Sequence, residues 1–254
     1  MNHTNTFKKR YDLSTVIINR LSSLFDLNEI EIIPNGVEDI TDINSQEMAF
    51  VNTVEANLNH DMMKEKFKPD FIIRKKRSPE EWYYLEVKYS VTPLWANKNL
   101  DEIRQRNPDI KLCDIGVCAR EPWYAYNNLF PNTIILYACS YNPRLFMAQF
   151  IKKIQCLRCH DWDCSDCPVQ TKELVNYSKN LNSTGSGTPH TNINLACFEN
   201  VKEFFEKIGI KTSQDEISNI KNIIKAKGVN LVNMYPGVAK RVLDQLRQNG
   251  CTWL

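Results

Sequence analysis

The chain has 254 residues, 43% of them hydrophobic and 24% charged, with a formal net charge of +2. That is the balance of a water-soluble globular protein with room for one large domain, or a medium one plus an appendage. A globally basic surface is excluded, so any nucleic-acid contact must rest on local basic patches. There is no apolar run of membrane-spanning length, and the polar start "MNHTNTFKKRYDLSTV" lacks a signal-peptide core, so a cytoplasmic protein with no membrane partner is expected. Nine cysteines in such a chain point to free thiols and a metal site, not to a disulfide framework.

In chain order, Leu13, Ile17, Leu21 and Leu24 recur at helical spacing and predict an amphipathic helix over 12–27. A second helix is predicted over 41–59, with an apolar stripe of Ile43, Phe50, Val51, Val54 and Leu58. Strands are expected at about 69–76 and 82–89, turning near Arg77-Ser78-Pro79. Thr92 and Pro93 open a further helix. "KLCDIGVCA" (111–119) and "NTIILYAC" (132–139) read as buried strands, and "NPRLFMAQFIKKI" (142–154) as a helix. The alternation implies an α/β fold with a mixed central sheet flanked by helices. Beyond 155 come a cysteine cluster (156–168), a Ser/Gly/Asn/Thr-rich linker or loop (169–192) and a helical C-terminal region (193–254). Each of its three helical patterns ends in Gly.

The strand pair carries unusual charges. Side chains two apart in a strand share a face, so Glu86 and Lys88 point one way while Leu85, Val87 and Tyr89 point the other. A hairpin would bring Asp70 beside Glu86, converging three ionisable groups on a largely apolar sheet. Pro69-Asp70, with Glu86-Val87-Lys88 beginning sixteen positions after Asp70, resembles the signature of the PD-(D/E)XK, or restriction-endonuclease-like, nuclease superfamily. The resemblance covers roughly 12–155, since the element order matches too.

It implies a restriction-endonuclease-like core over 1–155 and a Mg²⁺-dependent endonuclease acting on double-stranded DNA, with type II restriction enzymes the best fit in size. Asp70 and Glu86 would bind the catalytic Mg²⁺, and Lys88 would position the nucleophile. The residue types suit that chemistry: carboxylates are hard ligands that leave room for water and phosphate, and a nearby ammonium stabilises developing charge. Many members add an acidic residue from the preceding helix. Glu47 falls within the apolar stripe of 41–59, where a lone carboxylate would be costly, and is the candidate; Glu55, at the stripe's edge, is the alternative. Cutting both strands implies a homodimer. Rival readings are a structure-specific or repair nuclease and a non-catalytic zinc-containing DNA-binding protein.

Cys156-x2-Cys159-x4-Cys164-x2-Cys167 forms two CxxC pairs, a four-thiolate set suited to structural Zn²⁺. Iron–sulfur is the rival, as in RecB-like relatives; those also use an upstream cysteine, and here none precedes Cys113. Candidate phosphate contacts are Arg74, Lys75, Lys76 and Arg77 near the acidic motif, Lys152, Lys153 and Arg158 beside the knuckle, and Lys240 and Arg241 on a C-terminal helix, the last pair as a helix-turn-helix-like reader.

Overall fold

The structure is a computed structural model. It describes residues 13–35, 68–90, 100–119, 123, 126–127, 129–157, 190–234 and 240–254. Eight strands are described: β1 (Ile30–Pro34), β2 (Phe71–Lys75), β3 (Ser78–Ser90), β4 (Ile115–Ala119), β5 (Thr133–Cys139), β6 (Phe146–Phe150), β7 (His190–Asn194) and β8 (Glu199–Asn200). The described helices are α1 (Leu13–Ile18), α2 (Leu21–Leu24), α3 (Leu100–Arg106), α4 (Val201–Lys207), α5 (Gln214–Met234) and α6 (Lys240–Gln248).

The fold is α/β: a mixed six-stranded sheet, ordered β1-β2-β3-β5-β6-β8, with helices against it. Only β3 and β5 run parallel; the other neighbours are antiparallel. A parallel pair needs a crossover, and the chain between Ser90 and Thr133 supplies it through α3, β4 and the helical residues near Tyr126. β5 is buried along its whole length. Its Ile134, Leu136 and Ala138 join Leu85, Val87 and the apolar sides of α1, α2, α4 and α5 on one face of the sheet. Ile135, Tyr137 and Cys139 join Ile33, Ile72, Tyr84 and the crossover residues on the other. A strand buried on both faces reads as a continuous apolar run, which is how β5 was legible.

The helix expected at 12–27 divides into α1 and α2, broken at Asn19-Arg20. The strands at 69–76 and 82–89 form the expected hairpin, turning one residue earlier than Arg77 at Lys76-Arg77, because Lys75 pairs with Ser78. Arg74 then pairs with Trp82, so Pro79 falls in the resulting bulge, where its missing N–H costs no ladder bond. β4 is a strand as expected, but it pairs with β7 in a separate two-stranded sheet.

The helix expected over 142–154 is not formed. Residues 146–150 are β6, and a single 3-10 turn follows at Ile151–Lys153. Asn142 Oδ1 accepts the Arg144 N–H, a side-chain-built turn, and Leu145 has φ 64°, so no helix runs through this point. Phe146 and Ala148 then face one core and Met147 the other. Apolar residues on both faces mimic helical spacing.

The C-terminal chain packs on the same sheet. β8 extends it beside β6, α4 and α5 fill the face opposite the crossover, and Val242 and Leu246 of α6 enter the crossover-side core. β7 begins at His190, within the stretch read as a linker. Of the three glycines expected to end helices, Gly209 follows α4 with φ 71° and Gly250 follows α6 with φ 94°. Gly228 instead lies inside α5, where an added Cβ would come within 2.9 Å of Ser140 Cβ. No helix among the described residues is long and apolar enough to cross a membrane.

Candidate active site

The hairpin register decides the geometry. Phe71 pairs with Leu85, so Asp70 lies opposite Glu86 at the open end of β2 and β3. Two contacts lock them together: the Asp70 backbone N–H donates to Glu86 Oε2 at 3.0 Å, and the Val87 N–H donates to Asp70 Oδ2 at 2.8 Å. Lys88 Nζ donates to Glu86 Oε1. Glu86 is only 3% exposed. Burial disfavours a charged Lys88, yet Glu86 and Asp70 outweigh that and hold its ammonium above the ordinary lysine range. The three residues picked from the sequence therefore meet at one place.

Three more residues complete the cluster. The ring of Tyr126, on the crossover, lies 5.7 Å from Lys88 Nζ. Burial, followed by the charges of Glu86 and Asp70, keeps that phenol protonated well above its ordinary range. Aromatic packing fixes it there: Tyr84 meets Trp82 and Phe130 edge-on at 5.1 and 5.0 Å, and Phe130 packs against Tyr126. Cys118 of β4 is buried alongside, its thiol pushed up to about 12 by burial, with Lys88 lowering it and Glu86 raising it. The third is Asn35, just past β1. Its backbone N–H donates to Asp70 O at 2.9 Å, and its side-chain Nδ2 donates to Pro69 O at 3.1 Å.

Sequence periodicity did not reveal these three. β1 itself was not anticipated, and Asn35 follows it as a lone Asn after Pro34. Only the strand register brings it beside Asp70. Tyr126 and Cys118 come from a different part of the chain, and no local spacing connects them to the hairpin.

Glu47 and Glu55, with the whole of 41–59, lie outside the described residues. So do Cys159, Cys164, Cys167 and Arg158. Cys156 is buried, forms a bridge to Ile193 of β7, and has its Sγ 3.4 Å from Thr191 Oγ1. Among the described residues, no three His, Cys, Asp or Glu side chains come together as a metal-holding group.

The basic residues of the hairpin sit at its other end. At about 3.3 Å per strand residue, Lys76 is roughly 20 Å along the strand from Asp70. Arg74 pairs with Glu31, Lys75 with Glu81 at 2.6 Å, and Lys76 donates to Leu27 O at 2.7 Å. Arg77, Lys152, Lys153, Lys240 and Arg241 are exposed. Lys153 also lies 5.9 Å from the ring of Phe150.

Comparison with known protein families, with curated proteins and with solved structures finds no match to this chain.

Proposed function

We propose that the chain is a metal-dependent DNA endonuclease with a restriction-endonuclease-like core, acting as a homodimer on double-stranded DNA in the manner of a type II restriction enzyme. The observation that carries the reading is the pairing of Asp70 with Glu86, and of Glu86 with Lys88, on one face of adjacent strands. A solvated strand face would expose such charges, whereas here Glu86 is buried among apolar and aromatic groups. Buried charges gathered in this way are expensive to a fold and mark chemistry.

The donor set fits Mg²⁺. Asp70 and Glu86 offer hard carboxylate oxygens, and Mg²⁺ is commonly held by one or two carboxylates together with water and substrate phosphate. Mg²⁺ bound by Asp70 and Glu86 would supply a water of lowered pKa and offset negative charge on the phosphate. The chain's own groups do the rest. Lys88, kept as an ammonium by Glu86 and Asp70, donates to the attacking water or to a phosphate oxygen whose charge is growing. Tyr126, its phenol kept protonated by burial and by the charges of Glu86 and Asp70, lines the site beside Lys88. The apolar residues around them limit access by bulk water, which strengthens each of these interactions.

The four cysteines 156, 159, 164 and 167 are proposed as a structural Zn²⁺ knuckle with a closed shell. Elemental analysis should return about one zinc per chain and no iron; stoichiometric iron and sulfide would replace that assignment with an iron–sulfur cluster. The exposed Lys240 and Arg241 on α6 are proposed to contact DNA phosphates, and a cytoplasmic location belongs to the same reading. Incubating supercoiled plasmid with the purified chain and Mg²⁺ tests the function. Discrete fragments are expected. A smear would make it a nonspecific nuclease, and unchanged plasmid would remove the nuclease assignment.

A further inference from the structure

Asn35, Asp70 and Glu86 form one row across three strands. Ile33, Ile72 and Tyr84 are mutually paired through β1, β2 and β3, and all three enter the crossover-side core. Alternation returns to the same face every second residue, so the next row on that face is Asn35, Asp70 and Glu86. The Asn35 N–H to Asp70 O bond carries the ladder one residue past its last strand pair.

Asn35 is 6% exposed. Its amide orientation is fixed, because the Pro69 carbonyl can accept only from Nδ2. Oδ1 is therefore the atom left over. It is buried and accepts no hydrogen bond from any described residue. A buried carbonyl oxygen without a donor is costly and calls for a physical explanation. The neighbours in its row deepen the problem, since Asp70 and Glu86 are acceptors as well. Among the described residues, the Val87 N–H, the Asp70 N–H and Lys88 Nζ are engaged with the two carboxylates. This row of oxygen acceptors, buried at Asn35 and Glu86 and half-buried at Asp70, has the Lys88 ammonium beside it among the described residues.

We infer that Asn35 Oδ1 is a third oxygen of the divalent-cation site formed by Asp70 and Glu86, facing the ion or a water of its shell. The inference rests on the cation-dependent reading of that site and extends it to a residue outside the PD-(D/E)XK motif. Backbone anchoring through Nδ2 accounts for one end of the side chain and leaves the oxygen unexplained. A cation accounts for the oxygen and for the two carboxylates together, because a hard divalent ion takes neutral carbonyl as well as carboxylate oxygens.

The test is titration of the full chain with Mn²⁺ and with Mg²⁺, read by calorimetry and by the Mn²⁺ electron-spin resonance signal, alongside the cation-induced shift in melting temperature. Asn35→Ala should weaken cation binding about tenfold, in the range seen when supporting groups of metal sites are removed. Asn35→Asp keeps an oxygen on the cation side and adds charge, while giving up the Nδ2 bond to Pro69 O. It should bind the ion several-fold more tightly than the wild type and show a larger cation-induced rise in melting temperature. The affinity order Asp, Asn, Ala supports the inference. Equal affinities for wild type and Asn35→Ala overturn it, even if the variant melts lower, since that is what a purely backbone-anchoring residue would do. If Asn35→Ala does not fold, Asn35→Asp decides alone: binding no tighter than the wild type overturns the inference. A wild type that binds neither ion overturns it together with the cation-dependent reading of the whole site. Cleavage is not measured, so failure as a nuclease and failure of the Asn35 assignment are separate results.

Discussion

The two ends of the β2–β3 hairpin carry the same kinds of charged residue and put them to different ends. At the open end Asp70, Glu86 and Lys88 bond to one another, Glu86 is buried, and Tyr126 and Asn35 close in from two other elements. At the turn Arg74, Lys75 and Lys76 are each satisfied by a separate surface partner, Glu31, Glu81 and Leu27 O. Isolated pairs near the surface are worth roughly 0–1 kcal/mol, because water and salt screen them. A buried, mutually bonded set is costly to assemble and strongly coupled once assembled. Convergence and burial, more than residue type, separate a candidate reaction centre from a solvated face.

The largest effect on folding should come from breaking the buried pair from one side. Lys88→Met leaves Glu86 buried without its counter-charge. It should cost about 2–3 kcal/mol, less than a fully buried pair because the Lys88 side chain is 29% exposed. Urea denaturation of Lys88→Met, Glu86→Gln and the double variant measures the coupling. Near-additive changes would mean that the two charges do not depend on each other.

A pH titration sharpens the contrast further. Cys118 beside the site has its thiol pushed up to about 12, whereas an unfolded thiol ionises near 8.5. A group whose folded pKa is raised keeps its proton in the folded state while the unfolded chain loses it. Stability should therefore fall from about pH 8.5 upward, with buried Cys113 and Cys251 adding to the decline. Cys118→Ala should lessen the slope by about 1.4 kcal/mol per pH unit between pH 9 and 11. Lys88 is also raised, so its contribution is fully present below about pH 10.4 and is lost only as pH rises through its folded value. It adds little slope over most of that window. An unchanged slope in Cys118→Ala would mean that its thiol ionises as freely in the folded chain as in the unfolded one.

The smallest effect is expected at the turn. Lys75→Ala and Lys76→Ala should each change stability by less than about 1 kcal/mol. If the turn contacts DNA, the double variant should weaken binding evenly across sequences and lower the salt dependence by about one ion per lost phosphate contact. Unchanged binding at low and high salt would assign these lysines to the surface pairs alone.

The strand pair and its register were legible because Leu85 and Val87 alternate with Glu86 and Lys88 around a short turn, and period two admits a single assignment of faces. β5 was legible as an unbroken apolar run. β6 reads as a helix from sequence because a strand buried on both faces and a buried helix look alike over a few residues, and Asn142-Pro143 is the turn signal that separates them. At the site, Asp70, Glu86 and Lys88 belong to one local pattern and were found. Asn35 and Tyr126 join it only through tertiary pairing, which periodicity does not encode.

The Asp70–Glu86–Lys88 cluster is proposed to hydrolyse DNA with a divalent cation. Paired cleavage and binding assays on the wild type, Asp70→Ala and Glu86→Ala, with Mg²⁺ and with EDTA, test it most directly. The wild type should cut only with Mg²⁺, and both variants should lose cleavage by at least about 10²–10³-fold, the scale of removing transition-state charge stabilisation, while still binding the duplex. Full cleavage by either variant, or cleavage by the wild type in EDTA, would contradict it.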